Sequence, residues 1–583
     1  MEVSDATSAY RHWLSPIVFV LAVGVLGGVV GFTPLRSLDY WWHLRTGELI
    51  VETGAVPRAD PYTYTVPEAP WTDLHWTFQL ALHGLHRAGG HQAVRLAKGV
   101  CVLALLAVLG AINWRRSRAA VTSLALGSMV MASASRLMER PELPSFLLLA
   151  LVLALLERHR RVRDGWVFAI VPLQLLWANL HGSFAIGIAV SAMALAGELL
   201  QPWIRRDQAL ERDVARDLAL VIALSIAVSV LNPNGLDALL LTFEQLGMIG
   251  PAEQRNVFGR WVTELRPTLA AADGVTRLAA AGGLALAAMA LNARRLRPFD
   301  ALLFMAFFVL ALGAQRNVAL LALATTPITV HNLNEFLDRR RFPKWGLHAA
   351  AVAVFCLLLF SIAKQVKEQG AVWDPSAVLQ HRFPEAAADW ITRESPDGPI
   401  YHSMRDGGYL IWRLYPEYRV MVDGRLEVFG AERYAPLSAR VSGRPGGFRQ
   451  LDEVHHFGVV LLNHQVYRDL KLLQWLHRNP EWRLVELDEI AALFVRVGAD
   501  PPPWPEIGSG GSDLFRPIEA NQEPVHDFRL RASRIALLRV LGRPKQAREL
   551  TRETCVLYSD LAPKLCGDAS VQSGAAPSSE NLR

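Results

Sequence analysis

Eleven apolar runs limit what this chain can become more than any other feature. They lie near 15–35, 92–112, 119–135, 142–156, 165–180, 183–200, 216–232, 274–291, 298–313, 317–333 and 345–364. Each is long enough, or nearly so, to cross a bilayer, where only a helix or a closed barrel satisfies its own backbone. The shortest, 142–156, carries Pro144. Composition agrees: 51% hydrophobic residues over 583, with a mean hydropathy of +0.20, is too apolar for an ordinary soluble protein of this size. The expected fold class is mainly α, a polytopic membrane protein of about eleven transmembrane helices.

Charge orients the runs. Basic residues fill every second connection: Arg115, Arg116 and Arg118; Arg158, Arg160, Arg161 and Arg163; Arg205, Arg206, Arg212 and Arg216; Arg294, Arg295 and Arg297; Arg339, Arg340, Arg341 and Lys344. Cytoplasmic loops carry such an excess. The N-terminus is therefore expected inside, and everything after an odd number of spans outside. The net charge of +6 comes largely from these loops, so it marks topology and no nucleic-acid partner is expected. Four cysteines provide little framework: Cys101 and Cys356 lie in apolar runs, whereas Cys555 and Cys566 can pair if that end is extracytoplasmic.

With this orientation the polar motifs at helix ends gather on the outer side. They are Asp39 with His43, Asp73 with His75, RLMERPE (Arg136–Glu142), NLHGS (Asn179–Ser183), NPNG (Asn232–Gly235) and QRN (Gln315–Asn317). Polar groups at membrane depth are costly and usually line a cavity or a site. The sharpest stretch is LDYWWHLRTGELIVETG, Leu38 to Gly54. Asp39, Trp42 and His43 share a helical face, Trp41 and Trp42 suit the headgroup level, and Gly54 suits a helix end. Asp39 has two readings, a base held at the membrane surface or a plain helix N-cap. His75, Gln79 and His83 also share a face, but Gln is a poor metal ligand, so an amphipathic helix from Asp73 to about Arg87 is preferred.

The expected domain plan is a transmembrane domain over 1–366 with long outer loops at 36–91 and 233–273. An extracytoplasmic α/β domain follows at 367–500. FPEAAADWITRE and YRDLKLLQWLHRN read as helices there, PIYHS, YRVMVDG and FGVVLLN as strands, and WRLVELDEIAALFVRV as a hairpin. A Pro/Gly-rich linker at 501–525, a helical hairpin at 526–567 and a disordered tail at 568–583 complete the chain. Asp423-Gly424-Arg425 reads first as a turn and second as an acceptor contact.

These motifs, in this order, resemble the GT-C class of integral-membrane glycosyltransferases. DYWWHLRTGELIVETGAVPRADPYTYT and PWTDLHW are similar to the opening of a large bacterial branch of that class, RLMERPE, WANLHGSF, NPNG and AQRN to its later motifs, and GGYLIWRLYPEYRVMVDGR to its C-terminal domain. The resemblance spans roughly 36–500. It implies transfer of a sugar from a polyprenyl-phosphate donor, within a lipid bilayer, to an extracytoplasmic acceptor of unknown kind: glycan, lipid or protein. By that resemblance Asp39 is the candidate base, with His43 one turn on to orient it, and Arg136, Arg140, His181 and Arg316 are candidates for the donor phosphate. Many class members pair two acidic residues in the first loop, whereas Asp39 lies between Leu38 and Tyr40. No obligatory metal or other cofactor is therefore expected. Asp60 or Asp73 can supply a second carboxylate, and His75 and Glu139 complete the outer-face candidates. The expected home is a bacterial inner membrane. The rival expectations are a non-catalytic scaffold or assembly factor for envelope polysaccharide and a transporter of lipid-linked sugars. No internal repeat is apparent, which argues against the transporter.

Overall fold

The computed structural model describes residues 3–115, 118–204, 211–248, 262–270, 272–340, 342–369, 377–378, 382–441, 443–464, 470–488, 490–498 and 524–558. Arg116, Arg205, Arg206, Arg255, Trp261, Arg341, Cys566, most of the 501–525 linker and the tail from Asp568 lie outside the described residues. The chain divides into two compact units, one of 1–58 with 71–378 and one of 59–70 with 379–583.

In the first unit every expected apolar run is helical. The helices are α1 (Val3–Gly31), α2 (Tyr40–Thr53), α3 (Trp76–Ala111), α4 (Ala119–Ser133), α5 (Glu142–Val162), α6 (Ile170–Leu180), α7 (Ala185–Ile204), α8 (Arg212–Ser229), α9 (Leu236–Met248), α10 (Ala272–Leu278), α11 (Leu284–Leu291), α12 (Pro298–Gly313), α13 (Val318–Arg339) and α14 (Lys344–Gln369). Among the described residues, four segments can cross a membrane by length and composition, Trp76–Ala111, Gly182–Ile204, Ala272–Leu291 and Trp345–Val366. Shorter apolar helices add Pro16–Gly31, Ala119–Ser133, Gly165–Leu180 and Pro298–Gly313. This is a multi-pass membrane protein. Leucine, valine and alanine from α1, α3, α4, α5 and α13 form one continuous core. Many of the apolar side chains outside it, such as Leu21, Leu96, Val352 and Phe360, stay exposed. A helix apolar all round suits such a split, with one face buried in protein and the other in lipid.

Two helices in this unit set up the site. α3 merges the expected amphipathic helix with the apolar run at 92–112 across a kink at Gly89 and Gly90. Gly90 has φ 62°, a left-handed conformation that favours glycine. α2 packs against α3 so closely that a Cβ on Gly47 would lie 2.1 Å from the Gln79 carbonyl oxygen. That approach explains a departure from expectation: Trp41 and Trp42 are buried, with Trp42 edge-on to Trp71 and His75 and Trp41 edge-on to His91. They are core residues of the helix pair. Gly54, at φ 68°, ends α2 as its sequence position suggests.

The second unit contains a four-stranded sheet in the order β1-β2-β4-β3. Its strands are β1 (Ile400–Tyr401), β2 (Val459–Asn463), β3 (Trp482–Leu487) and β4 (Ala491–Arg496). β1 is parallel to β2, and the β3–β4 hairpin runs antiparallel to it. The helices of this unit are α15 (Glu385–Glu394), α16 (Met404–Leu414), α17 (Leu426–Arg440), α18 (Pro445–His455), α19 (Leu470–Arg478), α20 (Pro524–Val540) and α21 (Pro544–Tyr558). YRVMVDG departs from its expected strand. It forms only an isolated bridge, Val420 to Thr63. The partner is Ala59–Pro70, a piece of the first loop that belongs to this unit. Asp60 forms an ion pair with Arg425 at 2.8 Å, and Arg425 also binds Asp423 at 2.6 Å and lies 4.8 Å from the Tyr62 ring. All three charged side chains are fully buried. The turn reading of Asp423-Gly424-Arg425 therefore gains a purpose, and neither charged group is open to an acceptor.

Candidate functional site

Asp39 occupies the N-cap position of α2, yet its side chain makes no capping hydrogen bond. The plain N-cap reading loses its physical basis there. The carboxylate turns instead toward the RLMERPE loop, where its Oδ2 lies 3.1 Å from Arg140 Nη2. Trp42 Nε1 donates to Oδ1 at 3.5 Å, as the shared helical face suggested. Asp39 keeps 27% of its side chain exposed. Burial raises its pKa above the ordinary carboxylate value; Arg140 pulls it down, Glu264 pushes it up, and the Trp42 hydrogen bond and Arg136 lower it.

Arg140 is shared. Its Nη1 lies 3.1 Å from Glu264 Oε2, so one guanidinium bridges two carboxylates from distant parts of the chain. Arg136 binds Glu264 and Glu142. Burial opposes ionisation of Glu264, but Arg136 and Arg140 hold its pKa below the ordinary carboxylate value. Arg316 faces Glu142 and Glu264 electrostatically and makes no hydrogen bond or ion pair among the described residues. The centre thus holds three guanidiniums against three carboxylates, with one guanidinium uncommitted.

The histidines form a row beside this centre. The His43 ring lies tilted beside Trp42 with ring centres 3.6 Å apart and lies 5.3 Å from His75, which lies 5.4 Å from His181. His181 contacts Ser183 Oγ at 2.5 Å and Ser145 Oγ at 3.1 Å. Asp73 is fully buried and accepts from the His75 N–H at 2.9 Å and from Gln79 Nε2 at 3.1 Å, so it fixes the start of α3. Asn234 Nδ2 donates to the Asp73 carbonyl at 2.8 Å. Asn179 accepts from Trp76 Nε1 at 3.1 Å and donates to the Leu231 carbonyl at 3.0 Å, the carbonyl-satisfying role its helix-end position suggests. The motifs are laced together by side chain–backbone bonds.

Of the sequence candidates, Asp39, Arg136 and Arg140 meet in one charge cluster with Arg316 beside it, Glu139 pairs instead with the buried Lys98, and His43, His75 and His181 form the row, with Asp73 bound to His75. Asp60 belongs to the second unit and is committed to Arg425. The second carboxylate near Asp39 is Glu264, from the loop at 233–273, which no motif marked. Ser37 and Lys98 were also missed. Lys98 carried a signal, since it and Arg95 are cations inside the apolar run at 92–112. Among the described residues no three His, Cys, Asp or Glu are grouped to hold a metal ion.

No protein-family profile and no curated protein matches the sequence. The fold is that of the GT-C-type membrane glycosyltransferases. Among solved structures, the chain is similar to the archaeal oligosaccharyltransferase AglB from Archaeoglobus fulgidus in complex with an inhibitory peptide and a dolichol-phosphate. That match has a TM-score of 0.53 and 11% identity over 82% of this chain and 73% of that one. The apo form of the Archaeoglobus fulgidus oligosaccharyltransferase aligns at 0.54, with 12% identity over 80% and 71%. ArnT from Cupriavidus metallidurans bound to undecaprenyl phosphate aligns at 0.49, with 16% identity over 84% and 99%. At these identities the likeness is one of fold.

Proposed function

We propose that this protein is a membrane glycosyltransferase that moves a sugar from a polyprenyl-phosphate donor to an extracytoplasmic acceptor. The observation that carries the proposal is the half-buried Asp39 carboxylate, which leaves its own helix uncapped and instead faces a cluster of arginines. An acceptor O–H or N–H gives its proton to Asp39. The acceptor atom then bonds to the anomeric carbon as the carbon–oxygen bond to phosphate breaks and the lipid phosphate leaves. General-base help of this kind contributes roughly 10²–10⁴-fold in rate. The leaving phosphate needs fixed positive charge, which guanidiniums supply through two-pronged hydrogen bonds. Arg316 is the most available of them, because Arg136 and Arg140 already serve carboxylates. His181 and His43 line the approach in this reading, and no metal is assigned a role. The dolichol-phosphate in the AglB structure supports a lipid-phosphate donor for this fold.

The same reading places the Asp39 end of the bundle outside a bacterial inner membrane, with the N-terminus inside. A reporter fused after Lys364 is expected to be active only on the outer side; cytoplasmic activity overturns that topology. The reaction is tested with purified protein in nanodiscs and a panel of labelled polyprenyl-phosphate sugars and acceptors. Release of free lipid phosphate by the wild type and not by Asp39→Asn supports the proposal. Equal release by both removes Asp39 as the base. Tight donor binding without any turnover favours the scaffold reading.

A further inference from the structure

The direction in which Arg140 points is set by a relay that none of the site motifs announces. Lys98 of α3 is buried and donates from Nζ to the Thr33 carbonyl at 2.7 Å and to Glu139 Oε2 at 3.4 Å. Glu139 is buried too, and its other oxygen accepts the backbone N–H groups of both Arg36 and Ser37. Burial opposes ionisation of Glu139, yet Lys98 and those N–H groups hold its pKa below the ordinary carboxylate value. Ser37 is 1% exposed. Its hydroxyl accepts from Arg140 Nε at 2.9 Å and from the Asp39 N–H at 3.3 Å. A guanidinium held at Nε by one fixed acceptor presents both its terminal nitrogens in a determined direction. Here those directions are Asp39 and Glu264.

We propose that Ser37 and Glu139 are positioning residues: the buried Lys98–Glu139 pair clamps the turn before α2, and the Ser37 hydroxyl then locks Arg140 against the Asp39 carboxylate. Neither touches a reacting atom. The proposal rests on Asp39 as the functional carboxylate, but its geometry holds whatever reaction that carboxylate serves. The groups facing Asp39 are Arg140 and Arg136 from the RLMERPE loop, Glu264 from the loop at 233–273, and Trp42 from α2. Of these, Ser37 contacts only Arg140.

The test reads the Asp39 carboxyl directly. The protonated carboxyl band of the full-length protein in nanodiscs is titrated by infrared difference spectroscopy, with Asp39→Asn identifying the band. An opposite charge within hydrogen-bonding reach lowers a carboxyl pKa by roughly one to three units. Ser37→Ala frees Arg140 to turn away, so the Asp39 midpoint is expected to rise by about one pH unit at unchanged protein yield. Ser37→Thr keeps the hydroxyl and is expected to restore the wild-type midpoint. Glu139→Gln loosens the clamp and is expected to shift the midpoint in the same direction by less. An unmoved midpoint in folded Ser37→Ala overturns the proposal, as does a shift that Ser37→Thr fails to reverse. Because the readout needs no turnover, failure of the glycosyltransferase reading would show separately, as absent transfer alongside an intact pattern of shifts.

Discussion

Two polar clusters sit at opposite ends of the same helices, and they are built differently. α5 begins at Glu142 and ends near Glu157 and Arg161; α12 begins at Arg297 and ends before Gln315; α13 begins after Asn317 and ends near Asn332 and Arg339. At the Asp300 end, Arg297 binds Asp300 at 2.6 Å and Glu157 at 2.9 Å. Asn332 Nδ2 donates to Asp300 at 2.9 Å, and Asn332 Oδ1 accepts from Asn292 Nδ2 at 2.8 Å. Arg297 is 7% and Asp300 0% exposed. At the Asp39 end the carboxylates of Asp39 and Glu264 remain 27% and 34% exposed, and Arg316 is uncommitted. A buried ion network that closes on itself pins helices together. One that leaves a cation uncommitted and its acids partly exposed can exchange partners with a ligand. The difference separates a structural network from a site more clearly than charge counts do.

The largest expected effect falls on chemistry. Asp39→Asn is expected to cut turnover by at least about 10²-fold while the melting temperature holds or rises slightly. The sign follows from the raised pKa: the folded protein favours protonated Asp39, so the ionised group costs stability at neutral pH, and a neutral isostere removes that cost. Loss of folded protein would instead make the Asp39 end structural as well. At the other end, Asp300→Ala leaves the buried Arg297 with Glu157 alone and Asn332 without its carboxylate acceptor, and is expected to cost up to about 3–5 kcal/mol, read as a fall in melting temperature or yield. A variant of wild-type stability would break the contrast.

A smaller effect sharpens it. Arg316→Ala removes the charge-assisted hydrogen bonds proposed to the donor phosphate, roughly 1.5–3 kcal/mol each, so the donor KM is expected to rise about tenfold or more with acceptor KM and stability unchanged. Equal effects on donor and acceptor would take Arg316 away from the phosphate. The smallest effect is in the pH profile. A base works ionised, so transfer is expected to fall as pH drops through the Asp39 value, with the acid limb above the ordinary carboxylate range. Arg140→Ala removes the pull of that guanidinium and is expected to move the limb further up; a limb that stays in place would separate Asp39 from Arg140.

Much of the bundle was legible. Apolar runs must become helices in lipid, and each of them did. The C-terminal hairpin and the α15 and α19 helices were readable for the same kind of local reason, a clean alternation or a clean amphipathic repeat. YRVMVDG was not, because its bridging partner Thr63 lies far back in the sequence, and alternation reports burial rather than pairing. In the sequence Arg297 is indistinguishable from Arg294 and Arg295 as a marker of topology, although it alone of the three turns inward to Asp300 and Glu157.

The sequence by itself determined that this chain is a helical membrane protein, that Gly54 ends α2, and that Asp39, Arg136 and Arg140 lie where polar groups are costly. Those are local properties of hydropathy, charge and capping. Only the tertiary structure decided that Asp39 leaves its helix uncapped for Arg140, that Glu264 is the second carboxylate, that Asp60 is committed to Arg425, and that Lys98 and Glu139 brace the turn before α2. Each of these pairings joins residues separated by many positions. Which acid meets which arginine depends on how helices pack, and no local pattern encodes it.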